Sequence, residues 1–289
     1  MEALLQQVVA GLATGGIYAS IALALVMIYQ STHQINFAQG EMGMFATYIA
    51  WALIHWGMPY WPAFFLTVVI AFLGGAFLQR TVLRPLENAS HLANIVVFVG
   101  LMITFNSLAG LLFTYTIKTF PSPFPNRLIF DGLLSFHQLG AIVVTGTVLL
   151  LLFAFFKYTP VGLAIRAGAQ NPLSARLVGI RVSHMLALGW GLAAAIGAIA
   201  GMMVAPIVFL EPNMMSGILL YGFAGALIGG IDNPWGAVAG GFIIGVLENL
   251  LGAYVIGTEL KLTATLMIII AVLLFKPAGL FGQRIVKRV

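Results

Sequence analysis

Long apolar runs alternate with short polar breaks along the chain, and the runs set its architecture. They lie at roughly Leu5–Tyr29, Phe37–Trp56, Trp61–Leu78, Ala93–Ile117, Leu139–Phe156, His184–Phe209, Ser216–Ile231, Trp235–Ile256 and Leu262–Phe275. Apolar residues are continuous within each run instead of alternating every second position, the pattern of bilayer-crossing helices and not of barrel strands. The expected fold is all-α, a polytopic transmembrane helical bundle forming a single domain over residues 1–289. The seventh and ninth runs are short against the about 20 residues that a span requires, so the pattern predicts eight or nine spans, or a broken helix.

One polar stretch stands apart. Lys157 to Arg181, KYTPVGLAIRAGAQNPLSARLVGIR, carries four cations and no acid between two apolar runs. Asn171-Pro172 breaks it into two short helices, the second leading into the next run. Gly162, Gly168 and Gly179 permit tight turns, and Leu163, Ile165, Leu173, Leu177 and Val178 give it an apolar side. Residues 158–182 therefore form a basic, half-apolar insertion suited to docking on something soluble.

Composition agrees with the runs. Of 289 residues, 61% are hydrophobic and 7% charged, far from the usage of soluble domains. The absence of cysteine from the sequence excludes disulfides and thiolate metal sites, and five scattered histidines show no ligand spacing, so no metal site is expected. The net charge of +5 is not gathered into an aromatic-laced patch of the kind that binds nucleic acid. It is distributed by side of the membrane instead. With the tail Gln283–Arg288 in the cytoplasm, counting back puts Arg80, Arg84, Lys157, Arg166, Arg176, Arg181, Lys276, Arg284, Lys287 and Arg288 inside, and Lys118, Arg127 and Lys261 outside. That bias follows the positive-inside rule and makes the 158–182 segment cytoplasmic. Nine spans then place the N-terminus outside. Its first run follows no basic n-region and is expected to be kept as a span. The outer loop Thr119–Leu128, with three prolines, is expected to be extended.

Chemistry is sparse. No Ser-His-Asp, HExxH or phosphate-loop arrangement occurs, and Gly229–Pro234 (GGIDNP) reads as a turn. No catalytic residue is expected. Polar groups in apolar surroundings are the candidates instead. The island Gln34–Glu41 is either a helix broken at membrane depth, with backbone N–H groups after Asn36 facing an anionic group, or a cytoplasmic turn in which Asn36 caps the next span and Glu41 favours its first turn. Glu248 falls well inside its run, where an ionisable group needs a cavity or a partner. Thr104, Asn106 and Ser107 serve either helix packing or a solute path. Asn36, Glu41, Asn106 and Glu248 are the candidate path residues. Glycines four apart, at Gly11/Gly15, Gly197/Gly201, Gly225/Gly229, Gly236/Gly240 and Gly241/Gly245, predict close helix packing within the subunit.

Five pieces in order, Gly11–Tyr29, Ile35–Glu41 (INFAQGE), Arg84-Pro85, Gly162–Ile180 and Ala226–Glu248, resemble the permease subunits of branched-chain amino acid ABC importers, the LivH-type family. Gln39 departs from the family's usual histidine. The resemblance implies alternating access driven by two cytoplasmic ATPase subunits, which would carry the ATP and Mg that this chain does not bind. It also implies a periplasmic substrate-binding protein, a second and related permease subunit, and residence in the bacterial inner membrane. Arg166, Gln170, Asn171, Arg176 and Gly179 would be the positions that couple to the ATPase. A urea or short-amide importer remains an alternative, as does an ion-coupled transporter or channel working through Glu41 or Glu248. A non-transporting scaffold explains the mid-membrane acid least well.

Overall fold

A computed structural model describes residues 2–32, 34–86, 89–125, 127–129, 134–257 and 259–282; the basic tail Gln283–Arg288 invoked for topology lies outside them. Each of the nine apolar runs is a helix. They are α1 (Glu2–Thr32), α2 (Gln39–His55), α3 (Tyr60–Leu78), α4 (His91–Phe113), α5 (Phe136–Tyr158), α8 (Val182–Val208), α9 (Met214–Gly229), α10 (Pro234–Tyr254) and α11 (Lys261–Phe275). Between α5 and α8 stand two short helices, α6 (Pro160–Gln170) and α7 (Pro172–Leu177), as the Asn171-Pro172 break predicts. Among the described residues six helices are long and apolar enough to cross a membrane; α2, α9 and α11 are shorter. A two-residue hairpin, β1 (Leu128–Ile129) with β2 (Leu134–Ser135), is the strand structure between α4 and α5.

The chain folds into two compact units, each assembled from separated stretches: residues 1–26, 124–143 and 217–289 in the first, 27–123 and 144–216 in the second. In the first unit glycine meets glycine. A Cβ on Gly11 would lie 2.7 Å from Val246 Cα, one on Gly15 3.0 Å from Phe242 Cα, and one on Gly225 2.7 Å from Gly241 Cα. Helices α1, α9 and α10 thus touch backbone to backbone, as four-residue glycine spacing permits. Ala22, Val26, Ala226 and Ala237 fill the space beside them, with Ile231 packed on top. The Gly229–Pro234 segment is a turn, as expected. Gly230 takes φ +111, Asn233 Oδ1 caps α10 by accepting from Trp235 N at 3.1 Å, and Asn233 Nδ2 donates to Phe281 O at 3.1 Å. That last bond latches the chain after α11 onto the turn, helped by Leu280 N donating to Ile228 O at 2.7 Å.

The second unit is built around α8. Its small-residue faces receive α2 through Gly43, Gly197 and Gly201, and α3 through Gly75 against Trp190 and Ala194. Trp190 is wholly buried and stacks on Phe98 of α4 at 6.0 Å between ring centroids. Beyond Leu78, α3 continues through a π-helical turn, Gln79–Leu83, and a 3-10 turn, Arg84–Leu86. Pro85 accounts for the departure, because it lacks the N–H that would bond the carbonyl four residues back. At the far end of the unit Lys118 and Leu210 exchange both backbone hydrogen bonds at 2.9 Å. The preceding helices end there on Thr114 (φ 68) and Phe209 (φ 66), non-glycine residues in left-handed backbone space. Outward faces of α3 and α4 are bare phenylalanine, leucine and isoleucine, including Phe65, Leu73, Phe77, Ile103 and Leu111, surfaces suited to lipid and not to water.

Candidate functional site

The first polar site is the break between α1 and α2, in the second unit. Asn36, Ala38 and Gln39 are fully buried and Glu41 is 5% exposed. Gln39 Nε2 donates to Ala193 O at 2.8 Å. Ala193 lies about 16 Å along the roughly 40 Å of α8, at 1.5 Å per residue, so the break stands abreast of the middle of that helix. The break is thus enclosed in protein, with the backbone N–H groups of Ala38 and Gln39 bonded to Asn36. Asn36 does not cap α2: the cap position is Ala38, without a side-chain bond, and Asn36 Oδ1 accepts from Ala38 N at 3.0 Å. The reason is reach. Standing two residues before the cap, the short amide closes an Asx turn on the cap's own N–H and falls short of the first helical turn. Its Nδ2 faces Gln39 Oε1 at 3.5 Å.

Glu41 is in the first turn of α2, as expected, and its Oε2 has no hydrogen-bond partner despite burial. The carboxyl lies against the Asn106 side chain. Asn106 in turn donates from Nδ2 to Pro212 O and to Asn213 Oδ1, both at 3.0 Å, joining α4 to the chain just before α9. Asn36 and Glu41 therefore share one buried stretch, and the half-buried Asn106 stands beside Glu41. Gln39, noted in the sequence only as a departure from the family, is the residue that ties this break to α8. An uncharged amide inside an apolar run was the available signal.

Glu248 belongs to the other unit and is held on both oxygens. Tyr18 Oη donates to Oε2 at 2.7 Å, and Lys261 Nζ, from the start of α11, pairs with Oε1 at 3.6 Å. Tyr18 also stacks on Tyr221, 4.9 Å between centroids, and neighbouring Asn249 donates to Thr14 Oγ1 at 3.0 Å. The partner that the sequence demands for an acid at this depth is a lysine that sequence spacing does not bring near it.

The third site is the basic insertion. Thr159 Oγ1 caps α6 by accepting from Gly162 N at 3.0 Å, with Pro160 at the first helical position. Asn171 Oδ1 caps α7 by accepting from Ser174 N at 2.9 Å, with Pro172 in the equivalent place. Gly179, at φ +86, turns the chain into α8. Both helix starts follow the preference for Thr or Asn caps and proline at N1. Ile165, Gly168 and Ala175 are buried, and α6 and α7 pack on α8. Arg166, Gln170, Asn171, Arg176 and Gly179 are all exposed. So are Leu163, Leu173, Val178 and Leu177, the last at 83%. An anchored, twice-capped element thus presents exposed leucines together with exposed Arg166 and Arg176.

The family described as branched-chain amino acid transport system / permease component matches residues 7–274. The chain is 30% identical to the high-affinity branched-chain amino acid transport system permease protein BraD of Pseudomonas aeruginosa, over 99% of this chain and 98% of that one. It is 31% identical to the LivH permease protein of Escherichia coli, over 99% and 97%. A probable LivH of Methanocaldococcus jannaschii is 30% identical over 91% and 87%. Among solved structures, PsaBC from Streptococcus pneumoniae in complex with Fab aligns with 97% of this chain and 91% of that one, at 14% identity and a TM-score of 0.48. With the helical architecture described above, the match over nearly the whole length makes this chain a member of the branched-chain amino acid transport system permease component family.

Proposed function

We propose that this protein is the membrane-spanning permease subunit of an ATP-driven importer of branched-chain, aliphatic amino acids, residing in the bacterial inner membrane. A periplasmic binding protein delivers the solute, a second and related permease completes the pathway, and two cytoplasmic ATPase subunits supply ATP and Mg chemistry. The observation that carries the reading is the α6–α7 element. Exposed leucines with exposed Arg166 and Arg176, on a scaffold fixed by two caps, suit docking of an apolar helix face into a protein groove. Full-length similarity to permeases named for branched-chain amino acids supports the substrate class.

The mechanism follows from connectivity inside the second unit. Closure of the ATPases displaces α6 and α7, and their packing on α8 carries the displacement into that helix. Gln39 Nε2 on Ala193 O passes it to the α1–α2 break, where Asn36 and Glu41 stand. Alternating access then consists of rearranging this break, with Glu41 and Asn106 offering polar contacts to the ammonium and carboxylate of a passing solute. Glu248 belongs to the first unit, where Tyr18 and Lys261 engage both its oxygens and tie α10 to α1 and α11. The test is purification from the native membrane. The wild-type chain brings an ATPase with it, and Arg166→Glu with Arg176→Glu loses it while the permease stays inserted and folded. An ATPase absent from the wild type, with solute moved by the chain alone down an ion gradient, would sink the reading and favour an ion-coupled transporter.

A further inference from the structure

On its uncovered side α3 carries an apolar strip that ends on two arginines. Phe65, Val69, Leu73 and Phe77 recur every fourth residue, which aligns them on one face of the helix, and each is more than half exposed. From Phe65 to Phe77 the strip is about 18 Å long at 1.5 Å per residue. One leaflet occupies half of a roughly 30 Å hydrocarbon core, so the strip matches a single leaflet. Every exposed residue from 65 to 77 lacks a hydrogen-bonding side chain, whereas protein interfaces place about one hydrogen bond in each 100–200 Å². The strip therefore suits an acyl chain better than a protein.

Arg80 follows Phe77 by three residues and Arg84 follows Arg80 by four, so each stands about one turn beyond the last. Both are exposed, on the π-helical and 3-10 turns that continue α3. The positive-inside count places them at the cytoplasmic face. Among the described residues no side chain or carbonyl pairs with either guanidinium. Lys157, another cation of that face, is by contrast folded over the rings of Phe153 and Tyr158, 5.0 and 5.3 Å from their centroids. Glu87, just beyond Leu86, lies outside the described residues.

We propose that this face of α3 binds an anionic phospholipid of the cytoplasmic leaflet, with an acyl chain along Phe65–Phe77 and the phosphodiester between Arg80 and Arg84. Guanidinium groups hold phosphate oxygens through paired N–H donors. Two cations favour a headgroup of net negative charge, as in phosphatidylglycerol, over phosphatidylcholine, whose own ammonium they repel. Because α3 packs on α8 through Gly75 against Trp190 and Ala194, the lipid steadies a flank of the helix on which α6 and α7 also rest.

The test titrates the complete complex, purified in detergent and stripped of native lipid, with phosphatidylglycerol or phosphatidylcholine of the same chains, and counts bound lipid by native mass spectrometry. Phosphatidylglycerol is expected to bind at one site per copy of this chain, and phosphatidylcholine about tenfold more weakly. Arg80→Gln with Arg84→Gln should weaken phosphatidylglycerol about thirtyfold, from roughly fivefold for each cation beside anionic lipid. Lys157→Gln with Lys276→Gln removes as much charge elsewhere on the cytoplasmic side and should leave the affinity unchanged. Equal weakening in both double variants would reduce the effect to general surface charge and overturn the proposal. Binding that appears only in Glu87→Gln would mean that Glu87 already holds the arginines, and overturns it too. So does an arginine variant that keeps the wild-type lipid affinity; if it also loses another subunit of the complex, the face belongs to a protein partner.

Discussion

The crossing of α2 on α8 is tight enough for one methyl group to test. A Cβ on Gly43 would stand 2.7 Å from Gly197 O and 3.1 Å from its carbonyl carbon. Carbon to carbonyl oxygen contacts settle near 3.3–3.6 Å, so Gly43→Ala forces the two helices apart by roughly 0.6–0.9 Å. The obstacle is backbone, which has no rotamer to yield. A radial gap of about 0.5–1 Å forfeits a quarter to a half of each dispersion contact it opens, and overpacking of this kind costs about 1–3 kcal/mol. The same displacement lengthens the Gln39 Nε2 bond to Ala193 O, now 2.8 Å. Gly74→Ala is the control: on the same unit, exposed, with nothing within 4 Å of its Cβ. Thermal unfolding in mild detergent, followed by intrinsic fluorescence, should show Gly43→Ala melting several degrees lower and Gly74→Ala unchanged or higher. Equal melting temperatures for wild type and Gly43→Ala would falsify the backbone contact between α2 and α8, and with it the depth assigned to the α1–α2 break.

Other expectations are independent of that crossing. Tyr18→Phe removes one hydrogen bond to a carboxylate and should cost about 1.5–3 kcal/mol; a stability equal to wild type would mean that Glu248 does not need it. Lys261→Met alone should destabilise more than Lys261→Met combined with Glu248→Gln, because removing one partner strands the other, and the reverse order in a melting series refutes the pairing. Phe209→Gly relieves a left-handed residue worth about 1–3 kcal/mol of strain, so the melting temperature should rise unless the lost ring contacts outweigh it; a fall identifies Phe209 as a packing residue. Glu41→Gln keeps the shape and removes the charge, and should lower solute uptake by reconstituted complex about tenfold with ATPase association intact. Unchanged uptake removes Glu41 from the path.

Helices were legible because a bilayer demands continuous apolar length, and each run became one. Boundaries drifted where backbone geometry intervened: the fourth run extends to Ile117, yet α4 stops at Phe113 because Thr114 turns to positive φ. The α6–α7 element was legible as two short helices about the Asn171-Pro172 break, because proline there interrupts a helix through local chemistry alone, while the caps Thr159 and Asn171 came from the structure. Glycine pairs announced close packing but not their partners, as Gly11 and Gly15 could have met any helix before the fold put them on Gly245–Val246 and Gly241–Phe242. Glu248 showed its need for a partner and not the identity of Lys261.

Helix length in a membrane protein is usually set by the membrane, and α2 escapes that rule. At 17 residues it is only about 25 Å long, short of the roughly 30 Å hydrocarbon core, but most of its first three turns are buried in protein. Helices α3, α4 and α5 leave their apolar windows mostly uncovered, surfaces suited to lipid tails. A change of acyl-chain length therefore falls on those three, which adjust by tilting, and leaves α2 unaffected as far as its own length goes. Bilayer thickness becomes an input to this subunit through its outer helices, and activity measured across lipids of different chain length will report their tilt before it reports anything about the buried break.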